Sequence, residues 1–134
     1  MVSIKNVVAS FPLLSPVTIT GGSVVKGDAV YKNSTTNQYQ IANASAFSTG
    51  EVEGLISDAS IANGSTGRIV TFGILENAGS GFTVGGKVYL SLNGTSGNTL
   101  TQTAPSAANQ VLTEIGYAES STSVFVNPKK PIER

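Results

Sequence analysis

Histidine, cysteine and tryptophan are all missing from this 134-residue chain. Any acid, base or nucleophile must therefore be a carboxylate, a lysine, or the hydroxyl of Ser, Thr or Tyr. Glu51 and Glu53 stand two apart on an expected strand and so share a face, a spacing that imitates the carboxylate pair of a glycosidase. Such pairs ordinarily face each other across a cleft from different strands, and two neighbours on one strand read as a solvated edge. Asp28, Asp58, Glu76, Glu114 and Glu119 are isolated, and none opens an acidic calcium-type loop, so no metal site is expected. The glycine-bearing loops "GSTG" and "GSGF" carry no phosphate-cradling spacing ahead of a helix and read as turns. Tyr31, Tyr39, Tyr89 and Tyr117 could form a sugar-stacking platform or serve as half-buried packing with hydrogen-bonded hydroxyls. The expectation is a non-enzyme with no catalytic residue and no cofactor.

Composition narrows the partners. Only 12% of residues are charged, and eight Lys plus Arg balance eight Asp plus Glu. The basic residues Lys5, Lys26, Lys32, Arg68, Lys87, Lys129, Lys130 and Arg134 are scattered, whereas nucleic-acid binding needs clustered cations to displace counterions. No nucleic-acid partner is expected. No stretch approaches the roughly 18 apolar residues of a membrane span, so no membrane partner is expected either. The opening "MVSIKNVVASFPLLSPV" resembles a leader only superficially, because Asn6, Ser10 and Pro12 interrupt its apolar run. A near-zero net charge gives little protection against association. Without cysteine, stability has to come from the core and from any partner.

The elements that would position these residues are strands. No window has apolar spacing of three and four free of glycine and β-branched residues, so no helix is predicted. Short runs rich in Val, Ile, Thr, Tyr and Phe, bounded by Gly, Asn or Ser, predict strands at 17–20, 29–33, 38–42, 51–57, 67–75, 87–92, 100–103, 111–118 and 123–127. Two proline-bearing ends bracket them. The predicted organisation is an extended amino-terminal arm over residues 1–16, a β domain over 17–128, and an exposed tail over 129–134. The fold class is all-β: a small β-barrel or β-sandwich of short antiparallel strands.

A faint duplication suggests two related halves. "VVKGDAVYKN" parallels "FTVGGKVYLS", matching Gly27, Val30 and Tyr31 with Gly85, Val88 and Tyr89. A second glycine strand follows in each half, around Gly54 and Gly116. "RIVTFGIL" differs from the rest, because alternation sets Val70, Phe72 and Ile74 on one face and Ile69 and Leu75 on the other. Either the strand is covered on both sides within the domain, or the face of Ile69 and Leu75 meets another subunit.

The order "GDAVY … VEGLISDA … GRIVTFGIL … FTVGGKVYLS … LTQTAP … IGYA … SVFVNP" resembles the small capsid decoration, or cement, proteins of tailed bacteriophages and the related base domains of head fibres. The likeness spans roughly residues 17 to 128 and consists of strand order and glycine placement. It implies a structural virion protein on the outer capsid surface, made in the host bacterial cytoplasm. Its partners would be the major capsid protein, whose neighbouring subunits it clamps, and itself, as a homotrimer. Val2, Ile4, Val7, Val8, Phe11, Leu13 and Leu14 of the arm, with Ile69 and Leu75, are the candidate capsid or subunit contacts. An arm that instead folds back as a strand of its own barrel is the competing expectation. The alternative function is a tail, baseplate or fibre β-module that binds a cell-surface glycan.

Overall fold

The computed structural model describes residues 12–133. They are 40% strand and 3% helical, which places the chain in the all-β class. In chain order the strands are β1 (Leu13–Thr18), β2 (Val24–Val25), β3 (Ala29–Lys32), β4 (Tyr39–Ile41), β5 (Gly54–Ile56), β6 (Ser60–Ile61), β7 (Thr66–Leu75), β8 (Lys87–Leu90), β9 (Leu100–Thr101), β10 (Val111–Leu112), β11 (Glu114–Ala118), β12 (Val124–Val126) and β13 (Ile132–Glu133). One helical turn, α1 (Phe47–Gly50), lies between β4 and β5. Local chemistry explains several joints. The Asn33 carboxamide oxygen accepts hydrogen bonds from the backbone N–H groups of Thr35 and Thr36, and Asn37 takes φ +59°, so the β3–β4 turn is built by asparagine.

A nine-stranded antiparallel sheet runs β4-β3-β5-β7-β12-β11-β8-β9, with β1 added to β7, and curls into a half-barrel. Its order is palindromic about the β7–β12 junction. The hairpin β3–β4 with β5 beside it corresponds to the hairpin β8–β9 with β11 beside it, which is the relation the sequence repeat predicts. Two equivalent glycines explain why the repeat is tied to that residue. A Cβ on Gly54 would lie 2.3 Å from the Val70 carbonyl oxygen, and one on Gly116 only 1.7 Å from that of Phe125. In each half, backbone approach at the second strand excludes any side chain.

Two cores result. Val17, Ile19, Val24, Val30, Ile56, Ile61 and Ile69 fill the smaller one. The strands around it, β4-β3-β5-β7-β1, are brought round by a parallel bridge between Ile19 and Tyr39. The larger core joins the halves: Leu55, Val70 and Ala29 from one pack with Val88, Leu90, Ile115, Val124 and Val126 from the other. Ala42, Ala44, Ala78 and Ala118 belong to it as small buried side chains.

Residues 13–16 and 132–133 lie in strands and not in the predicted arm and tail. Residues 13–16, assigned to the arm, belong to β1, where Leu13 pairs with Phe72 and Pro16 with Arg68. Pro16 is tolerated there because, among the described residues, strand β1 pairs on one side only, with β7. The tail is pinned as well. Leu112 pairs with Ile132, and Pro131 is buried. The two-residue strands β2 and β6 and the turn α1 were not predicted, being too short to show a period.

A buried carboxylate ties the halves together. Asp28 is 1% exposed. Its Oδ2 accepts hydrogen bonds from Val25 N–H at 2.9 Å and the Ser96 hydroxyl at 2.6 Å, and its Oδ1 accepts one from Gly97 N–H at 2.8 Å. The adjacent Thr99 hydroxyl oxygen accepts from Ala29 N–H at 2.9 Å, so the β8–β9 loop is fastened to the start of β3. Removing the carboxylate strands three donors, and Asp28→Ala is expected to cost about 2–4 kcal/mol in urea unfolding at neutral pH. Gly116→Ala should cost about 3 kcal/mol or more by the same measurement, as an overpacking defect against backbone. Wild-type stability in either variant would refute the corresponding assignment.

Candidate interaction surface

The outer face of β1, β7, β12 and β11 carries a row of apolar side chains. β-Strand alternation turns Val124 and Val126 into the larger core and leaves Phe125 pointing outward. Tyr117 lies directly opposite Phe125, Phe125 opposite Ile74, and Leu13 opposite Phe72. Directly paired residues share a face, so the row reads Leu13, Phe72, Ile74, Phe125, Tyr117 across four strands. The rings touch. Phe72 meets Phe125 edge-on with centroids 5.2 Å apart, and Tyr117 stacks on Phe125 at 5.2 Å with planes 12° apart. Leu13 is 62% exposed, Phe72 45% and Tyr117 41%.

Phe72 is on this face because of a bulge. Leu13 pairs with Phe72 and Leu14 with Val70, so Thr71 is the extra residue of β7. One unpaired residue shifts the alternation by one place. Val70 therefore enters the larger core, while Phe72 points to solvent. The same shift corrects two predicted contact residues. Ile69 and Leu75 do not form an exposed subunit face: Ile69 is 1% exposed in the smaller core and Leu75 6% exposed in the larger. Cover on both sides within the domain holds for Ile69 and Val70, whereas Phe72 is left uncovered on the outer face. Leu13 and Leu14 remain accessible, Leu14 at 44%. Val2, Ile4, Val7, Val8 and Phe11 lie outside the described residues.

Paired charges border the row. Lys87 lies opposite Tyr117 in register and 3.4 Å from the Glu114 carboxylate, which Lys129 approaches at 3.5 Å. These residues, with Gly85, Gly116, Phe125 and Asn127, line an open depression of about 340 Å³ beside Tyr117. A second depression of about 320 Å³ shares Lys129 and reaches from Thr71 to Glu51, Glu53 and Lys130. Lys130 donates to Glu51 at 2.9 Å, and that hydrogen bond, helped by the carboxylate's charge, raises the pKa of the ammonium group. Exposed pairs of this kind add little stability. They do leave a rim of mixed charge, three lysines and three glutamates.

Other predicted groups stay apart. Glu51 and Glu53 flank buried Val52 and are both exposed, as a solvated edge requires. Among the described residues no three carboxylates gather where a metal could be held. Tyr31 donates its hydroxyl to the Gln40 carboxamide at 2.7 Å, and Tyr39 packs on the smaller core, so neither joins Tyr117 in a platform. The row that does form is not legible in the sequence, because Phe72 lies in an apolar strand whose facing depends on the bulge, and its meeting with Phe125 and Tyr117 depends on strand pairing. No protein-family model matches the chain, and none of the curated proteins matches it in sequence.

Burial, and secondarily the charge of Glu53, raises the Tyr39 phenol above its ordinary value of 10.0. The unfolded phenol ionises first as alkali is added. The resulting stabilisation is thus complete below pH 10 and is lost as pH rises through the folded value. An absorbance titration should show one phenol ionising above the ordinary value, and Tyr39→Phe should remove it. Ionisation of that phenol at or below the ordinary value would contradict the packing described.

Proposed function

We propose that the chain is a structural virion protein that decorates the outside of a phage capsid and stabilises the lattice by clamping neighbouring major capsid subunits, acting as a homotrimer. The observation that carries this reading is the row Leu13, Phe72, Phe125 and Tyr117. It is a contiguous apolar surface bordered by the ion pairs of Glu114 with Lys87 and Lys129. An apolar centre inside a polar rim is the anatomy of a protein-contact surface. The resemblance in strand order supports the capsid as the setting. Residues 1–11 would add Val2, Ile4, Val7, Val8 and Phe11 as capsid contacts, each large side chain contributing roughly 1.5–3 kcal/mol if fully buried.

The physical basis of the role is linkage. A protein that binds only the assembled lattice stabilises it by mass action, and a trimer that touches several subunits gains avidity. A glycan-binding module is the second reading, favoured by the exposed Tyr117 ring next to its depression. Ring geometry weighs against it. Phe125 has one face on Tyr117 and meets Phe72 at an edge, so these rings spend their surface on one another, whereas sugar stacking calls for a free flat face.

Co-sedimentation with undecorated capsid shells of the phage that encodes the chain, combined with shell melting, tests the proposal. Saturable binding and a higher shell melting temperature are expected. Deleting residues 1–11 should weaken binding at least tenfold, the equivalent of about 1.4 kcal/mol, with the free protein's own melting temperature unchanged. Absence of binding, or binding to glycan arrays alone, would overturn the reading.

A further inference from the structure

We infer that Asn93, in the loop between β8 and β9, is a site of spontaneous deamidation, and that its isoaspartate product loosens the tie between the two halves of the fold. The reaction needs no capsid and proceeds in the free protein, so it is independent of the decoration role. The chain contains two Asn-Gly pairs, Asn63-Gly64 and Asn93-Gly94. In each, glycine offers an unhindered backbone nitrogen to the side chain before it. The chemistry requires only water and base. The Gly94 nitrogen, having lost its proton to solvent hydroxide, attacks Cγ of Asn93, so that an N–Cγ bond forms and the Cγ–Nδ2 bond breaks. Nδ2 takes a proton from water and leaves as ammonia. Water then opens the succinimide ring at either of its carbonyls, giving aspartate or isoaspartate.

The two pairs are alike in sequence, each followed by a small hydroxyl residue, and the tertiary structure separates them. Both asparagines are exposed. Asn63 and Gly64 are the central residues of a tight turn, closed by the Ser65 N–H on the Ala62 carbonyl at 2.9 Å. The Gly64 N–H, which has to lose its proton, donates to the carbonyl of buried Ile19 at 2.8 Å, and the Ile19 N–H donates to the Ser65 carbonyl at 2.9 Å. Attack by the Gly64 nitrogen must first break that bond and strand the Ile19 carbonyl. The Gly94 N–H, by contrast, donates to no acceptor among the described residues. The Asn93 carbonyl, onto which the charge of the deprotonated amide spreads, accepts from the Thr95 hydroxyl at 3.4 Å. A donor at that oxygen favours the ionised form. One pair is locked and the other is free to react.

The place of Asn93 gives the reaction its consequence. Its loop carries Ser96, Gly97 and Thr99, which fasten the second half of the chain to Asp28 and Ala29. The same loop is held to the first half where the Ala44 N–H donates to the Ser91 carbonyl at 2.9 Å. Gly94 lies so near Asn43 that a Cβ built on it would sit 3.2 Å from the Asn43 Cβ. Isoaspartate routes the main chain through the side chain and lengthens the backbone by a methylene. A segment anchored at Ser91 and again at Ser96 cannot absorb that length without shifting an anchor. Aspartate adds a charge and leaves the backbone length as it was. The isoaspartate form is therefore the one that weakens the hold on Asp28.

Ageing the full chain at mildly alkaline pH, followed by peptide mapping and an isoaspartate assay, tests the site. Deamidation at Asn93 should run at least about tenfold faster than at Asn63, the effect of the one hydrogen bond that holds Gly64. In urea, with both pairs unfolded, the two rates should converge, because the local sequences are alike. Asn93→Ser should abolish the fast-forming acidic species on ion exchange. Comparable rates in the folded protein, or no reaction at Asn93 under conditions in which the unfolded chain reacts, would overturn the assignment. The consequence is read separately. The isoaspartate-rich acidic fraction should unfold at lower urea concentration than fresh protein, whereas Asn93→Asp, which adds the charge alone, should unfold with the wild type. Aged and fresh protein unfolding together, or Asn93→Asp losing as much as the aged fraction, would sever the site from the tie at Asp28.

Discussion

Strand β7 is the constraint on which the rest of the molecule depends. Over its ten residues it pairs with β1, β5 and β12, and its two faces serve different cores. Ile69 is shared out to the smaller core and Val70 to the larger, so neighbouring residues hold two hydrophobic clusters on one backbone. Neither half of the chain could bury its apolar face without this strand. The palindromic sheet order follows from it, since β7 and β12 are the last strands that the two halves give to this sheet and meet at its centre.

The bulge at Thr71 changes what the faces of that strand meet. Upstream of it, alternation serves the cores. Downstream, Phe72 and Ile74 face outward, beside Phe125 and Tyr117. A one-residue insertion is a compact way to re-aim side chains without ending a strand. Here it produces an apolar surface on the side of the sheet opposite the larger core. That surface is physically continuous with the fold: Phe125 is held by core residues Val124 and Val126 on either side, so the aromatic row stands on a rigid base.

The polar groups divide in a corresponding way. Buried ones are satisfied internally, with Asp28 and Thr99 fastening one half to the other and Thr113 donating to the Gly50 carbonyl at 2.6 Å. Exposed charges pair along the border of the aromatic row.

Composition and period alone determined the all-β class, most strand positions, and the pairing of Gly27, Val30 and Tyr31 with Gly85, Val88 and Tyr89. These follow from local rules, since β-branched residues favour strands and glycine and asparagine favour turns wherever they occur. The close approach that requires Gly54 and Gly116 was visible as a repeated glycine, though its cause, a neighbouring carbonyl, was not. Tertiary structure decided the facing of β7. Val70, Phe72 and Ile74 look like one face in sequence, and only the pairing of Leu13 with Phe72 and Leu14 with Val70 reveals the slip between them. It also decided that Leu13 belongs to a strand and that Pro131 is buried, because both depend on partners distant in the chain. A side chain's face is a property of register, and register is a relation between strands. One strand read by itself cannot contain it.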